Sequence, residues 1–165
     1  MLWTNRIFCG MIKDSVYLRD RQMRNLGGIK SMRKVVKFGG SSLASAEQFK
    51  KVGDIIRADK GRKYVVPSAP GKRFDGDIKV TDMLYACYAK AEKKEDITAS
   101  IAAIRERYME IINGLGLSLS LDDQFEVISE NFKKLAGSNY AASRGEYLNG
   151  IIMANYLGYE FIDAA

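Results

Sequence analysis

Histidine is absent from the 165-residue chain, and cysteine and proline occur only twice each. Without histidine, Ser-His and Cys-His nucleophile schemes are excluded, together with the commonest zinc ligand. Cys9 and Cys87 stand far apart without metal-ligand spacing, and they read as free thiols of a reducing compartment, the cytoplasm. No apolar run is long enough for a membrane span, and residues 1–31 lack the apolar core of a signal peptide. Any chemistry must rest on Lys, Asp, Glu, Ser, Thr and backbone amides.

Basic residues outnumber acidic ones by 26 to 20, giving a net charge of +6. Residues 1–31 hold six basic side chains against Asp14 and Asp20, which leaves only +2 for the rest. The basic surplus belongs to a leader and not to the body, so nucleic acid is not an expected partner. This leader shows no sustained helical period and no strand alternation that joins it to the body. Residues 1–31 are expected to be a disordered tail or a mis-assigned start, with the body beginning at Met32.

Val35 to Phe38 predicts a strand that runs into the Gly39-Gly40 turn. Ser45 with Gln48 forms a capping-box pattern ahead of Phe49, Val52, Ile55 and Ile56, and Gly61 stops that helix. Lys63 to Pro67 predicts a second strand, and this β-turn-α-β order favours a parallel sheet with a right-handed crossover. After a polar loop, Ser68 to Lys79, a helix is expected from Thr81 or Asp82 with Leu84, Tyr85 and Tyr88 on its apolar face. Another helix carries Ile101, Ile104, Tyr108 and Ile111 and ends at Asn113-Gly114. A third, capped by Asp122 or Asp123, shows the stripe Phe125, Ile128, Phe132 and Leu135. A helix between Ser143 and Leu157 is closed by Gly158, and a third strand starts at Glu160.

The strongest chemical signal is Lys37-Phe38-Gly39-Gly40-Ser41-Ser42. Paired glycines at a strand end let the backbone approach an anion, the following helix start favours negative charge, and Lys37 adds a full positive charge. The spacing is neither that of a Walker A loop nor that of a dinucleotide fingerprint. On physical grounds alone, a plain turn with a solvated strand-end lysine stays open as the alternative.

In order along the chain, four blocks resemble the aspartate kinase branch of the amino-acid kinase family. They are Val35 to Ser42, Val65-Val66-Pro67-Ser68-Ala69-Pro70 with Lys79-Val80-Thr81-Asp82, Ser143-Arg144-Gly145-Glu146, and Phe161-Ile162-Asp163-Ala164. The resemblance covers residues 32–165 and implies the N-terminal part of a three-layer α/β/α sandwich with a mainly parallel sheet. It implies phosphorylation of L-aspartate by ATP, with Mg²⁺ bridging phosphates, to give 4-phospho-L-aspartate at the start of lysine, threonine and methionine biosynthesis. Lys37 would be the catalytic cation, with Gly39, Gly40 and Ser41 lining the phosphates. Ser68, Thr81 and Glu146 would bind aspartate, Glu146 through its α-ammonium. Each has a plainer reading: Ser68 as a loop serine, Thr81 as a helix N-cap, Glu146 as a first-turn glutamate.

The family's second catalytic half and its regulatory domains, which bind an end-product amino acid, are missing from the sequence, and the full-length protein is expected to form homo-oligomers. The chain is therefore expected to be a fragment inactive alone. Open alternatives are a non-catalytic remnant, a split subunit that needs a partner, and a related kinase for another substrate.

Overall fold

The computed structural model describes residues 5–9 and 33–163. In chain order the elements are β1 (Arg6–Cys9), β2 (Lys34–Phe38), a single 3-10 turn (Gly40–Leu43), α1 (Ala46–Arg57), β3 (Arg62–Pro67), α2 (Val80–Glu92), α3 (Thr98–Leu115), α4 (Asp122–Lys133), α5 (Ser138–Leu157) and β4 (Glu160–Asp163). The four strands form one sheet in the order β2-β3-β1-β4, with every neighbouring pair parallel. Parallel strands need crossover connections, and α1 supplies the one from β2 to β3. This is the α/β architecture that the strand-helix alternation predicts.

Residues 6–9 correct the expectation that the whole leader stands apart from the body. Arg6 and Ile7 pair with Tyr64 and Val65 of β3, and the full strand pairs with Glu160 to Asp163 of β4. Ile7 and Cys9 are fully buried. The signal is invisible locally because Arg-Ile-Phe-Cys is too short to show an alternation, and its partners lie far along the chain. Residues 1–4 and 10–32 lie outside the described residues.

Ser45 caps α1 by accepting a hydrogen bond from the Gln48 amide, as its spacing predicts. Phe49, Val52 and Ile56 then face a core shared with Ile7 and Val65 of the sheet and with Leu84, Tyr108, Phe125, Leu148 and Ile152 of the other helices. Side chains on the opposite sheet face stay outside this cluster, and Val35 there is 64% exposed.

Several helix limits differ from the sequence expectation. The stop of α3 is Gly116, at φ 68°, not Asn113-Gly114. Gly114 serves packing instead: a Cβ there would lie 2.5 Å from that of Ala46 on α1. Helix α5 starts at Ser138, five residues before the expected Ser143, and closes at Gly158 as expected. Tyr85 is 46% exposed, because Leu84, Cys87, Tyr88 and Ala91 form the buried stripe of α2 and Tyr85 points away from it. Leu135 likewise lies exposed beyond the end of α4.

One buried hydrogen bond ties the helical layer to the segment that carries the Gly-Glu pair. The Tyr108 hydroxyl of α3 donates to the Gly145 carbonyl of α5 at 2.8 Å. Replacing Tyr108 with Phe is expected to cost about 1 kcal/mol, since only the hydroxyl is lost and the ring still fills its site. Urea unfolding, read as a lowered midpoint at unchanged slope, checks this.

Candidate active site

The carboxyl end of the sheet carries the loops that matter. Strand β2 ends at Phe38 and passes through Gly39 into the 3-10 turn, while β3 ends at Pro67 and passes into the loop Ser68–Lys79. These two connections touch backbone to backbone. The Gly71 amide donates to the Gly40 carbonyl at 2.8 Å, and the Ser68 amide donates to the Phe38 carbonyl at 3.0 Å. A Cβ on Gly40 would lie 2.7 Å from the Ala69 carbonyl oxygen, and one on Gly71 would lie 2.7 Å from the Gly40 carbonyl carbon. Both positions must be glycine for the loops to approach this closely. Gly39 has open space where its Cβ would be, so packing does not demand glycine there.

Against this weld lies a cavity of about 460 Å³. Its wall brings together five residues singled out in the sequence: Gly40, Ser41, Ser68, Thr81 and Glu146. Ala69 to Lys72 and Lys79 complete it. Lys37 and Gly39 are not part of the wall. Lys37 is exposed on β2, yet its charge reaches Glu146 and favours that side chain's ionised form.

Local structure decides between competing readings of two residues. Helix α2 begins at Val80 with Lys79 at its N-cap position, so Thr81 lies inside the first turn and is not the cap. Glu146 sits in the middle of α5, well past its first turn, so the helix dipole does not account for it. The helix start expected directly behind the glycines is the short 3-10 turn, and α1 begins only at Ala46.

Burial raises the Glu146 carboxyl above its ordinary value, and Lys37 opposes that shift. A half-buried carboxylate beside a cavity is a costly arrangement unless a cation meets it. Lys72 and Lys79 make the remaining wall positive, while Ser41, Ser68 and Thr81 add hydroxyls. One carboxylate facing lysines and hydroxyls is a donor set for a zwitterion next to an anion.

Sequence reasoning missed the residues that hold this arrangement. Arg107 of α3, only 5% exposed, donates to the Asp77 carboxylate at 2.9 Å and to the Gly71 carbonyl at 2.9 Å. Arg73 embraces Asp77 through its backbone amide and guanidinium, and also reaches Glu110 at 2.7 Å. Burial pushes the Asp77 carboxyl up, but hydrogen bonds from Arg73 and from the Ile78 amide prevail and hold it below the usual range. Asn149 of α5, fully buried, donates to the Ser68 carbonyl at 2.6 Å and fixes the other end of the loop. Arg107 and Asn149 sit among helix residues with nothing in their spacing to mark them.

A model of the amino acid kinase family matches residues 32–165. The chain belongs to the amino acid kinase family. Aspartokinase 3 of Bacillus subtilis (strain 168) is 40% identical over 139 residues, which is 79% of this chain and 30% of that protein. The crystal structure of Clostridium acetobutylicum aspartate kinase is 50% identical, with a TM-score of 0.77 over 79% of this chain and 30% of that one. E. coli aspartokinase III, solved with aspartate and ADP, is 24% identical with a TM-score of 0.53 over 75% of this chain and 28% of its own, and shares the fold. The chain thus spans about 30% of the length of the relatives it matches. The family match starts after β1, which lies outside it.

This geometry has three measurable consequences. Arg107→Met leaves Asp77 with Arg73 but strips the Gly71 carbonyl of its side-chain donor, and is expected to cost about 3 kcal/mol. Urea unfolding measures the loss, and trypsin should cleave faster after Lys72 and Arg73. Because the Asp77 carboxyl is depressed, this latch is intact above the ordinary carboxylate value, about pH 4, and fails as pH falls further. Separately, Lys37→Met should raise the Glu146 carboxyl further, as followed by NMR titration of its side-chain carboxyl carbon.

Proposed function

We propose that this chain carries the phosphate loop and the amino-acid side of an ATP-dependent aspartate kinase. The carrying observation is that Gly40, Ser41, Ser68, Thr81 and Glu146 converge on one cavity from four separate segments. The 40% and 50% identities to aspartate kinases support aspartate as the acceptor. Glu146, which lines the wall, takes the α-ammonium, for which its partial burial makes it a strong partner. Ser68 and Thr81 position the carboxylates of the substrate. A side-chain carboxylate oxygen of aspartate attacks the γ-phosphorus of ATP, forming the O–P bond of 4-phospho-L-aspartate as the bond to ADP breaks.

Phosphoryl transfer asks the protein for position and fixed charge, not for a covalent intermediate. Gly40 and Ser41 present backbone amides and a hydroxyl to the phosphates, and Gly39 shapes the approach. Lys37 neutralises the transferring group and so acts as the catalytic cation, from a place beside the cavity wall. Among the described residues no group of three or more His, Cys, Asp or Glu side chains is placed to hold a metal. The reading takes Mg²⁺ together with the phosphates of ATP, where the ion would neutralise phosphate charge.

These 165 residues correspond to 30% of the relatives' length, so the reading assigns them aspartate binding without turnover of their own. The reading places them in the cytoplasm as part of a longer, regulated and homo-oligomeric enzyme. Both cysteines are free and buried, as a reducing compartment allows, and no helix among the described residues is long and apolar enough to cross a membrane.

Calorimetric titration tests the reading. L-aspartate should bind, succinate, which lacks the ammonium, should bind at least about tenfold more weakly, and Glu146→Gln should remove that preference. Since binding requires ionised Glu146, whose carboxyl is raised, it should release protons at mildly acidic pH, detected by repeating the titration in buffers of different ionisation enthalpy. Equal binding of aspartate and succinate would defeat the assignment.

A further inference from the structure

Two arginines of the helical layer are buried, and only one of them meets a carboxylate. Arg107 takes Asp77 at 2.9 Å. Arg144 of α5, 9% exposed, has no acidic partner among the described residues. Its Nε and Nη2 both donate to one neutral oxygen, the Ser143 hydroxyl, at 3.2 and 3.0 Å. That hydroxyl in turn donates to the Tyr140 carbonyl at 2.8 Å. Nη1 and the second N–H of Nη2 find no acceptor among the described residues. A charge withdrawn from water is costly until its donors are met.

The guanidinium is held in place from several sides. Its central carbon lies 4.6 Å from the ring centroid of Tyr140 and 4.6 Å from that of Tyr147. Asn131 of α4 donates to the Tyr140 hydroxyl at 3.0 Å, and Tyr147 meets Phe161 edge-on with centroids 5.5 Å apart. Ring faces recover part of the desolvation cost, but they leave the in-plane N–H groups unused. Beside these side chains a second cavity, of about 130 Å³, opens between α4 and α5. Val127 and Ile128 form its apolar wall, and Val127 is 54% exposed. Asp123, exposed in the first turn of α4, stands at its mouth. Arg144 precedes Glu146 by two positions, which is about 200° around the helix. The two cavities accordingly lie on different sides of α5 and share no lining residue.

We propose that this second cavity binds a small monocarboxylate with a short apolar group, seated on Arg144. The unused edge of the guanidinium takes the carboxylate through two parallel N–H donors, the arrangement its planar fork favours. The apolar group rests on Val127, Ile128 and the tyrosine rings. The volume equals that of about four waters at ~30 Å³ each, room for an acid of the bulk of isobutyrate. Asp123 adds a charge rule: a second carboxylate reaching the mouth would be repelled, so dicarboxylates bind less well. The inference does not rest on aspartate as the substrate of the other cavity.

The experiment uses the full 165-residue chain with isotope-labelled tyrosine, isobutyrate as the probe, and constant ionic strength. The ring signals of Tyr140 and Tyr147 should shift together and saturate in the millimolar range. Isobutyramide, which keeps the shape and loses the charge, should bind at least about tenfold more weakly. Succinate should bind here at least about threefold more weakly than isobutyrate. Excess L-aspartate should not displace the probe.

Two variants sharpen the test. Arg144→Lys keeps the charge but loses the fork, and should weaken isobutyrate about tenfold. Asp123→Asn changes an exposed side chain, so it stays informative even if Arg144→Lys fails to fold. It should tighten isobutyrate about threefold by removing a like charge. The proposal is overturned if the two tyrosine signals do not move, if isobutyramide or succinate matches isobutyrate, or if L-aspartate displaces the probe. It is also overturned if folded Arg144→Lys binds as the parent chain does, or if Asp123→Asn leaves the affinity unchanged.

Discussion

The contact between Gly40 and Gly71 is the constraint on which the site depends. Two loops that leave neighbouring parallel strands are held so close that neither residue has room for a Cβ. The hydrogen bond from the Gly71 amide to the Gly40 carbonyl closes the contact. This contact sets the placement of Ser41 and Ser68 on one wall, because each lies a few residues at most from the weld. Asn149 and Arg107 then hold the loop from below, one on the Ser68 carbonyl and the other on the Gly71 carbonyl. Helical residues far from the motif thereby set the position of motif atoms.

Electrostatics around the cavity divide into two separate systems. Asp77 is a structural carboxylate, satisfied by Arg73 and Arg107 and held ionised at every physiological pH. Glu146 is the reverse: it is half-buried, its carboxyl is raised by that burial, and among the described residues Lys37 opposes the shift through its charge. A half-buried carboxylate with so little compensation marks a candidate site. The contrast separates the carboxylate that holds the loop from the one that lines the cavity, although both lie near the same loop.

The family motifs were legible because they are local. Lys37 to Ser42, Ser68, Thr81 and Gly145-Glu146 are recognisable by residue type and order, and the structure gathers most of them at one cavity. Lys37 and Gly39 lie beside that cavity and not on its wall, since a motif gives order along the chain and not direction in space. The helical stripes around Phe49, Ile104 and Phe125 were readable from their period, and so was the Ser45 cap. Helix ends were less so: Gly114 looked like a stop, but it is spent on the contact with α1, and Gly116 with its positive φ ends α3 instead.

The sequence by itself determined the strand-helix alternation, the parallel sheet that alternation favours, and the kinase family through short motifs, because these depend on neighbours within a few turns. Only the tertiary structure decided that Arg6–Cys9 fills an interior slot, that Arg107 and Asn149 hold the loop over residues 68–79, and that Thr81 and Glu146 face a cavity instead of serving their helix ends. Those outcomes are set by hydrogen bonds and close contacts between residues some 30 to 155 positions apart. No local period or propensity records them.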